Sequence, residues 1–332
     1  MTYSVLVSGG AGYIGSHMVK LLRSEGHHVT VFDNLSTGHR DAVAGTELVE
    51  GDLRSLPDVT RAFADRRIDV VVHFAARCYV GESVRDPASY YANNVAGTLN
   101  LLEAMRAAQC RRLVFSSSCS TYGEPDSLPL REDHPQRPIN PYGMSKLTAE
   151  RAMADYGRAY GFATVALRYF NAAGCDPEGG LGELHDPETH LIPLVLREAL
   201  RVRAGGDPDA TTLQVFGDDF DTPDGTCVRD YVHVSDLCTA HLLAIERLQG
   251  AAPAAFEAFN LGTGSGHSVK QVVEACRRIT GEDIRYRVSG RRAGDPAQLV
   301  ASAQRARDEL GWTPRFATLP AIVETAWRWF SR

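Results

Sequence analysis

The most constraining feature of this chain is a cluster of glycines placed where a strand must turn into a helix. Ser4 to Ser8 has the β-branched, apolar character of a buried strand, and Tyr13 to Glu25 has helical spacing. Between them runs Gly9-Gly10-Ala11-Gly12-Tyr13-Ile14-Gly15, with glycines at 9, 12 and 15. Without Cβ atoms at those positions the chain can turn tightly, bring the Tyr13 and Ile14 backbone close to a pyrophosphate, and pack helix against strand. Alone, the motif is also compatible with a glycine-rich turn that holds no ligand.

The rest of the first half supplies the context. Further strand patterns fall at His28 to Phe32, Glu47 to Glu50, Asp69 to His73, Arg112 to Ser116 and Thr164 to Arg168. Amphipathic stretches alternate with them, among them Leu56 to Asp65, Pro87 to Ala108 and Pro141 to Tyr160. This is the rhythm of an α/β, Rossmann-type doubly wound parallel sheet with helices on both faces. After Asn171 the pattern breaks into loops rich in Gly, Pro and Asp, with isolated helices at Leu191 to Arg203 and Ser268 to Thr280. The expected division is a nucleotide-binding domain over residues 1–172 and a smaller α/β substrate domain over 173–332, with 230–248 packing back onto the first.

Strand two ends in Asp33-Asn34, where a carboxylate can accept the hydrogen bonds of an adenosine ribose and repel a 2′-phosphate. No Arg or Lys immediately follows, so NAD is expected as cofactor rather than NADP. Asp52-Leu53, at the end of strand three, adds a candidate acceptor for the adenine amino group; the competing role for Asp52 is to cap the helix beginning near Ser55.

Strand five ends in Ser116-Ser117-Ser118, and the next helix carries Tyr142-Gly143-Met144-Ser145-Lys146. Asn140 suits an N-cap and Pro141 a first helical position, so Tyr142 falls in the first turn with Lys146 on the same face. A phenol loses its proton near pH 10, so about 4 kcal/mol must be supplied before it acts as a base at neutral pH. A neighbouring ammonium and a cationic nicotinamide would contribute, while Ser118 can hydrogen-bond the same reacting hydroxyl. Tyr142, Lys146 and Ser118 are the candidate catalytic residues.

With a formal net charge of −6 and no dense Lys/Arg block, nucleic acid is not an expected partner. Seven cysteines without a Cys-x-x-Cys pair fit neither a disulfide framework nor a common zinc site, and no metal is expected. No segment is apolar for long enough to cross a bilayer, and the expected setting is the cytoplasm.

Together these motifs resemble those of the extended short-chain dehydrogenase/reductases and, within them, the UDP-glucose 4-epimerase family. The likeness covers nearly the whole chain. It includes Gly9 to His17, Asp33 to Gly38, His73 to Ala76, Val80 to Ser83, Asn93 to Val95, Ser116 to Ser118, Tyr142 to Lys146 and Arg168 to Asn171. Val228 to Val234 (VRDYVHV) and Arg291-Arg292 with Gly294-Asp295 point to the epimerases in particular.

The resemblance implies that Tyr142 takes the sugar 4-hydroxyl proton while hydride passes from C4 to NAD, that Ser118 orients that oxygen, and that Lys146 holds the nicotinamide ribose. It places Phe74, Ala75, Asn93, Ser116 and Tyr169 at the cofactor. Asn171, Arg229, Arg292 and Asp295 would hold the UDP portion, with Phe216 bordering the uridine and Leu299 at the wall that sets sugar-pocket size. It further implies a homodimer and a sugar held loosely enough for the 4-keto intermediate to turn over while the nucleotide is gripped.

Cys78 stands where some relatives have lysine, and is expected to be a small buried residue. His190 stands where asparagine is common and is given no substrate contact. The rivals are a 4-epimerase of another UDP-sugar, such as UDP-N-acetylglucosamine or UDP-xylose, a sugar-nucleotide 4,6-dehydratase, and a non-catalytic dinucleotide sensor. A dehydratase needs an acid pair just after the strand-five Ser/Thr, where this chain has Cys119-Ser120-Thr121.

Overall fold

The computed structural model describes residues 1–292 and 294–332. Thirteen strands occur among them: β1 (Ser4–Ser8), β2 (His28–Asp33), β3 (Glu47–Glu50), β4 (Val70–His73), β5 (Arg112–Ser118), β6 (Ala163–Tyr169) and β7 (Asn171–Ala173) in the first half. The second half adds β8 (Gln214–Phe216), β9 (Val228–His233), β10 (Phe256–Leu261), β11 (Gly266–Ser268), β12 (Arg287–Ser289) and β13 (Gln298–Leu299).

Seven strands form one parallel sheet in the order β3-β2-β1-β4-β5-β6-β10. Its central strands are buried on both faces, which is why Val5-Leu6-Val7 and Val70-Val71-Val72 read as continuous apolar runs. Helix Tyr13–Ser24 packs Met18, Val19 and Leu22 on one face beside Leu237, Ala244 and Ile245 of helix Val234–Gln249. Leu101, Met105, Ala149 and Met153 cover the other face.

The residues beyond 172 do not stay together as the expected partition has them. Strand β10 joins the main sheet beside β6, and Trp312, fully buried, adds to the core under helix Val234–Gln249 while donating to the Asp236 carbonyl at 2.8 Å. A separate core gathers Ile192, Val195, Val272, Val273, Ile322 and Val323 from three helices. There β9 is flanked by β7, β11 and β13, and β8 pairs with β12.

The long helix read at Pro87 to Ala108 is interrupted. Pro87–Tyr90 is followed by a π-helical turn at Tyr91–Ala96 before Gly97–Ala107 resumes as α-helix. The wider turn buries Asn94, whose amide donates to the Arg77 carbonyl and to Ser145 Oγ, both at 3.0 Å. That tie binds this segment to the helix bearing Tyr142 and Lys146, and π turns recur at functional sites.

Candidate active site

The central sheet reverses its strand order between β1 and β4, and open α/β sheets bind ligands in the crevice beyond the carboxyl ends of the strands at that point. Gly9 lies there with φ +77°, and a Cβ on it would meet the Ala75 amide nitrogen at 2.4 Å. A Cβ on Gly15 would lie 2.1 Å from the Gly9 carbonyl oxygen. Both glycines are therefore required by the protein's own packing. Gly12 is different: its Cβ would meet nothing nearer than the Gly9 oxygen at 3.5 Å. It is also the N-cap of helix Tyr13–Ser24, without a side-chain cap for the first-turn N–H groups. A bare backbone at an uncapped helix start fits a pyrophosphate.

Asp33 is buried and braces this loop, accepting from the Ala11 amide at 2.9 Å and the Leu35 amide at 2.8 Å. Burial raises its pKa, and the backbone N–H bonds only partly offset that. Each oxygen keeps a second lone pair for a ribose hydroxyl. Asn34 donates to Asp52 at 3.2 Å, and Arg54 chelates the same carboxylate at 3.0 and 2.7 Å, holding Asp52 far below the usual carboxylate range. The helix cap is Ser55, not Asp52. Leu53 is buried beneath, Phe74 lies against His241 with ring centroids 4.7 Å apart, and Asn93 donates to Asn94 at 3.0 Å.

At the end of β5 the candidate catalytic residues come together. Asn140 accepts from the Gly143 amide at 2.8 Å and Pro141 opens helix Pro141–Tyr160, which sets Tyr142 in the first turn. Lys146 is buried one turn on, and its ammonium donates to the Ser116 carbonyl at 2.8 Å, above the Phe115 ring. Ser116 Oγ in turn hydrogen-bonds the Tyr169 hydroxyl. Ser118 Oγ accepts from the Ser120 amide at 3.1 Å.

The electrostatics run against a simple activated-tyrosine picture. Burial pushes the Tyr142 phenol well above its ordinary value, and the Ser118 hydroxyl pulls it only partly back. Burial also lowers Lys146 to about 8. The lysine nitrogen is 5.9 Å from the Tyr142 ring centroid and is engaged with Ser116. In the protein alone, burial thus disfavours the charged form of both groups, the phenolate of Tyr142 and the ammonium of Lys146.

The candidate substrate residues converge on the other side of the cleft. Asp295 accepts from Arg292 at 2.8 and 3.3 Å and lies 3.8 Å from Arg229. Arg292 sits over the Phe216 ring and passes 3.8 Å from where a Gly81 Cβ would be. Gly294 lies beside Asn140 and Val80, at the start of helix Pro141–Tyr160. Parallel pairing sets Leu299 opposite Arg229, and Leu299 is buried with Cys119, Tyr122 and Phe170. Asn171 opens β7 opposite Tyr231. Cys78, between β4 and helix Val80–Arg85, is solvent-exposed where burial was expected, although neighbouring groups still desolvate its thiol enough to raise its pKa.

The family model for the NAD dependent epimerase/dehydratase family matches residues 5–262. The chain belongs to that family. It is 50% identical over 328 residues to a UDP-glucose 4-epimerase of Corynebacterium glutamicum, covering 98% of this chain and 95% of that protein. The crystal structure of UDP-glucose 4-epimerase from Brucella ovis in complex with NAD is 49% identical, with TM-score 0.91 over 99% of this chain and 98% of the other. A Bifidobacterium longum UDP-glucose 4-epimerase, crystallised with NAD+ and UDP, is 36% identical with the same TM-score, covering 99% and 98%.

Several residues that support this epimerase/dehydratase site escaped the sequence reading. Gly143 has no room for a side chain, because a Cβ would meet the Ser120 carbonyl at 2.2 Å; it lets helix Pro141–Tyr160 touch the turn that follows β5. Glu150, two turns below Tyr142, is buried and receives Arg168 at 2.9 and 2.6 Å together with Ser117 at 2.5 Å. Arg168 also donates to the Tyr122 hydroxyl at 3.0 Å, which donates to Asn260 at 2.7 Å. A charged residue in a strand otherwise apolar, Arg168 in β6, was the available signal.

Proposed function

We propose that the protein is a UDP-glucose 4-epimerase that interconverts UDP-glucose and UDP-galactose by reversible oxidation at C4. The observation that supports this most is Ser118 at the end of β5 beside Tyr142 and Lys146 of the following helix, together with Arg229 and Arg292, which share Asp295. Near-half identity to UDP-glucose 4-epimerases along the full chain supports the substrate.

Gly9, Gly12 and Gly15, with Tyr13 and Ile14, would hold the NAD pyrophosphate, and Asp33, Asn34, Asp52 and Leu53 its adenosine. Bound there, NAD would supply a hydride acceptor for C4 and a positive ring that favours the phenolate. Tyr142 takes the proton of the 4-hydroxyl and gives it back, with Ser118 fixing the oxygen. Since burial raises the phenol in the protein alone, deprotonation is tied to the charged cofactor, which discourages idle ionisation. Lys146 keeps two donors beyond its bond to Ser116 for the cofactor ribose.

Arg229 and Arg292 exchange part of their pairing with Asp295 for the diphosphate oxygens, while Asn171 and Phe216 hold the uridine side. The sugar is left with few charged partners and can turn over between hydride removal and return. Among the described residues no helix is long and apolar enough to cross a membrane. The protein acts as a homodimer in the cytoplasm.

Purified protein given UDP-galactose and no added NAD is expected to form UDP-glucose, read by chromatography of the nucleotide sugars, with Tyr142→Phe inactive. Conversion of another UDP-sugar pair but not this one would reject the substrate; activity equal to wild type in Tyr142→Phe would reject the mechanism.

A further inference from the structure

The loop entering helix Leu191–Arg203 carries a cluster of side chains that the epimerase reaction does not use. Glu183, His185, Glu188 and His190 present one ligand-type atom each, all within 4.8 Å of one another. His190 Nδ1 lies 2.8 Å from Glu183 Oε1 and 3.0 Å from Glu188 Oε1, while His185 Nδ1 lies 3.3 Å from Glu183 Oε1 and 3.7 Å from Glu188 Oε2. Ligand bonds of about 2.0–2.1 Å in a tetrahedron give edges of about 3.3 Å, close to these separations.

Glu183 Oε1, His185 Nδ1 and Glu188 Oε2 are buried, have no hydrogen-bond partner outside the cluster, and face only one another and His190 Nδ1. The Glu183 and Glu188 side chains are 3% and 0% exposed. Buried carboxylates and imidazoles that meet only one another need shared protons or a cation between them to offset the cost of their burial. Glu188 Oε1 accepts from the Thr189 and His190 amides at 2.8 and 2.9 Å besides facing His190 Nδ1 at 3.0 Å, while Oε2 faces His185. That is the arrangement of a metal ligand held by outer hydrogen bonds.

We propose that Glu183, His185, Glu188 and His190 bind a divalent transition metal, zinc by preference, as a structural clasp. Two carboxylates and two neutral imidazoles leave no net charge around a dication, and mixed nitrogen and oxygen donors suit zinc better than calcium or magnesium. All four ligands lie within eight residues, so little chain entropy is lost in closing the site. Aromatic rings shield it: Tyr79 is 5.8 Å from His190 and Tyr13 is 6.1 Å from His185, centroid to centroid. Tyr13 opens the glycine-loop helix and donates to the Gly174 carbonyl, so the clasp fastens the 174–190 loop against the cofactor side of the cleft. Cysteine spacing, the signal first sought for zinc, has no part in it.

The site is tested on the full-length protein with its cofactor, by metal content rather than turnover. After dialysis in metal-free buffer, mass spectrometry is expected to find about one zinc ion per chain. Chelator-stripped protein, titrated with zinc against a chromophoric competitor, is expected to bind one equivalent, with His185→Ala and Glu188→Gln weaker by at least about 100-fold. Cobalt(II) in place of zinc is expected to give the visible absorption of a tetrahedral ion in wild type and none in His185→Ala. Should His185→Ala fail to fold, the wild-type titration and Glu188→Gln decide. Folded wild type that takes up no zinc, or variants that bind it as wild type does, would overturn the proposal.

Discussion

Replacing Lys146 with methionine should stabilise the nucleotide-free protein while abolishing its chemistry. The lysine is buried, and desolvation carries it from 10.5 to about 8. That descent corresponds to about 3 kcal/mol of stability withheld whenever the ammonium is charged. Methionine matches the stem but leaves the Ser116 carbonyl without its donor, a loss of about 1–2 kcal/mol. At pH 7 the variant should therefore be more stable by about 1–2 kcal/mol. The pH dependence is the sharper test. Below pH 8 the lysine is charged in both folded and unfolded chains, so wild type carries the whole penalty. Between about 8 and 10.5 the unfolded chain still binds a proton that the folded protein has released, and wild-type stability rises relative to the variant. Urea unfolding of nucleotide-stripped protein at pH 7 and pH 10 should show the difference closing or reversing. A difference that is the same at both pH values, or a variant less stable than wild type at pH 7, would show that Lys146 carries no desolvation penalty in the folded protein.

Other expectations rest on separate parts of the structure. Glu150→Gln leaves the Arg168 guanidinium buried without its counter-ion and should cost about 3–5 kcal/mol in urea unfolding. Arg292→Ala removes a grip remote from C4; the KM for UDP-galactose should rise about 10–100-fold with a smaller change in kcat, by steady-state kinetics. Gly12→Ala should keep its thermal stability but lose bound NAD, whereas Gly15→Ala should lose more than about 2 kcal/mol of stability because its Cβ meets the Gly9 carbonyl at 2.1 Å; melting curves with and without NAD separate the two.

Local patterns made much of this molecule legible. Helix Pro141–Tyr160 was readable to the residue because Asn140, Pro141 and Gly161 punctuate it, and Ser4–Ser8 because a buried strand in a parallel sheet is apolar throughout. Strand β10 was not, since Phe256–Leu261 follows a loop and joins β6 only through contacts distant in sequence. The π turn at Tyr91–Ala96 hid within a helical pattern because it widens one turn without ending the helix. Motif order pointed to Tyr142 and Lys146, but their electrostatic state depends on burial and on the Ser116 carbonyl, which spacing along the chain cannot disclose.

In the proposed reaction the hydride leaving C4 returns to the same carbon within a closed site. UDP-galactose deuterated at C4, incubated with the protein and no added NAD, puts that directly to nuclear magnetic resonance or mass spectrometry. The expected product is UDP-glucose with the deuterium retained at C4 and none released to water. Protium at C4 of the product, or a 4-keto-6-deoxy sugar in its place, would contradict it.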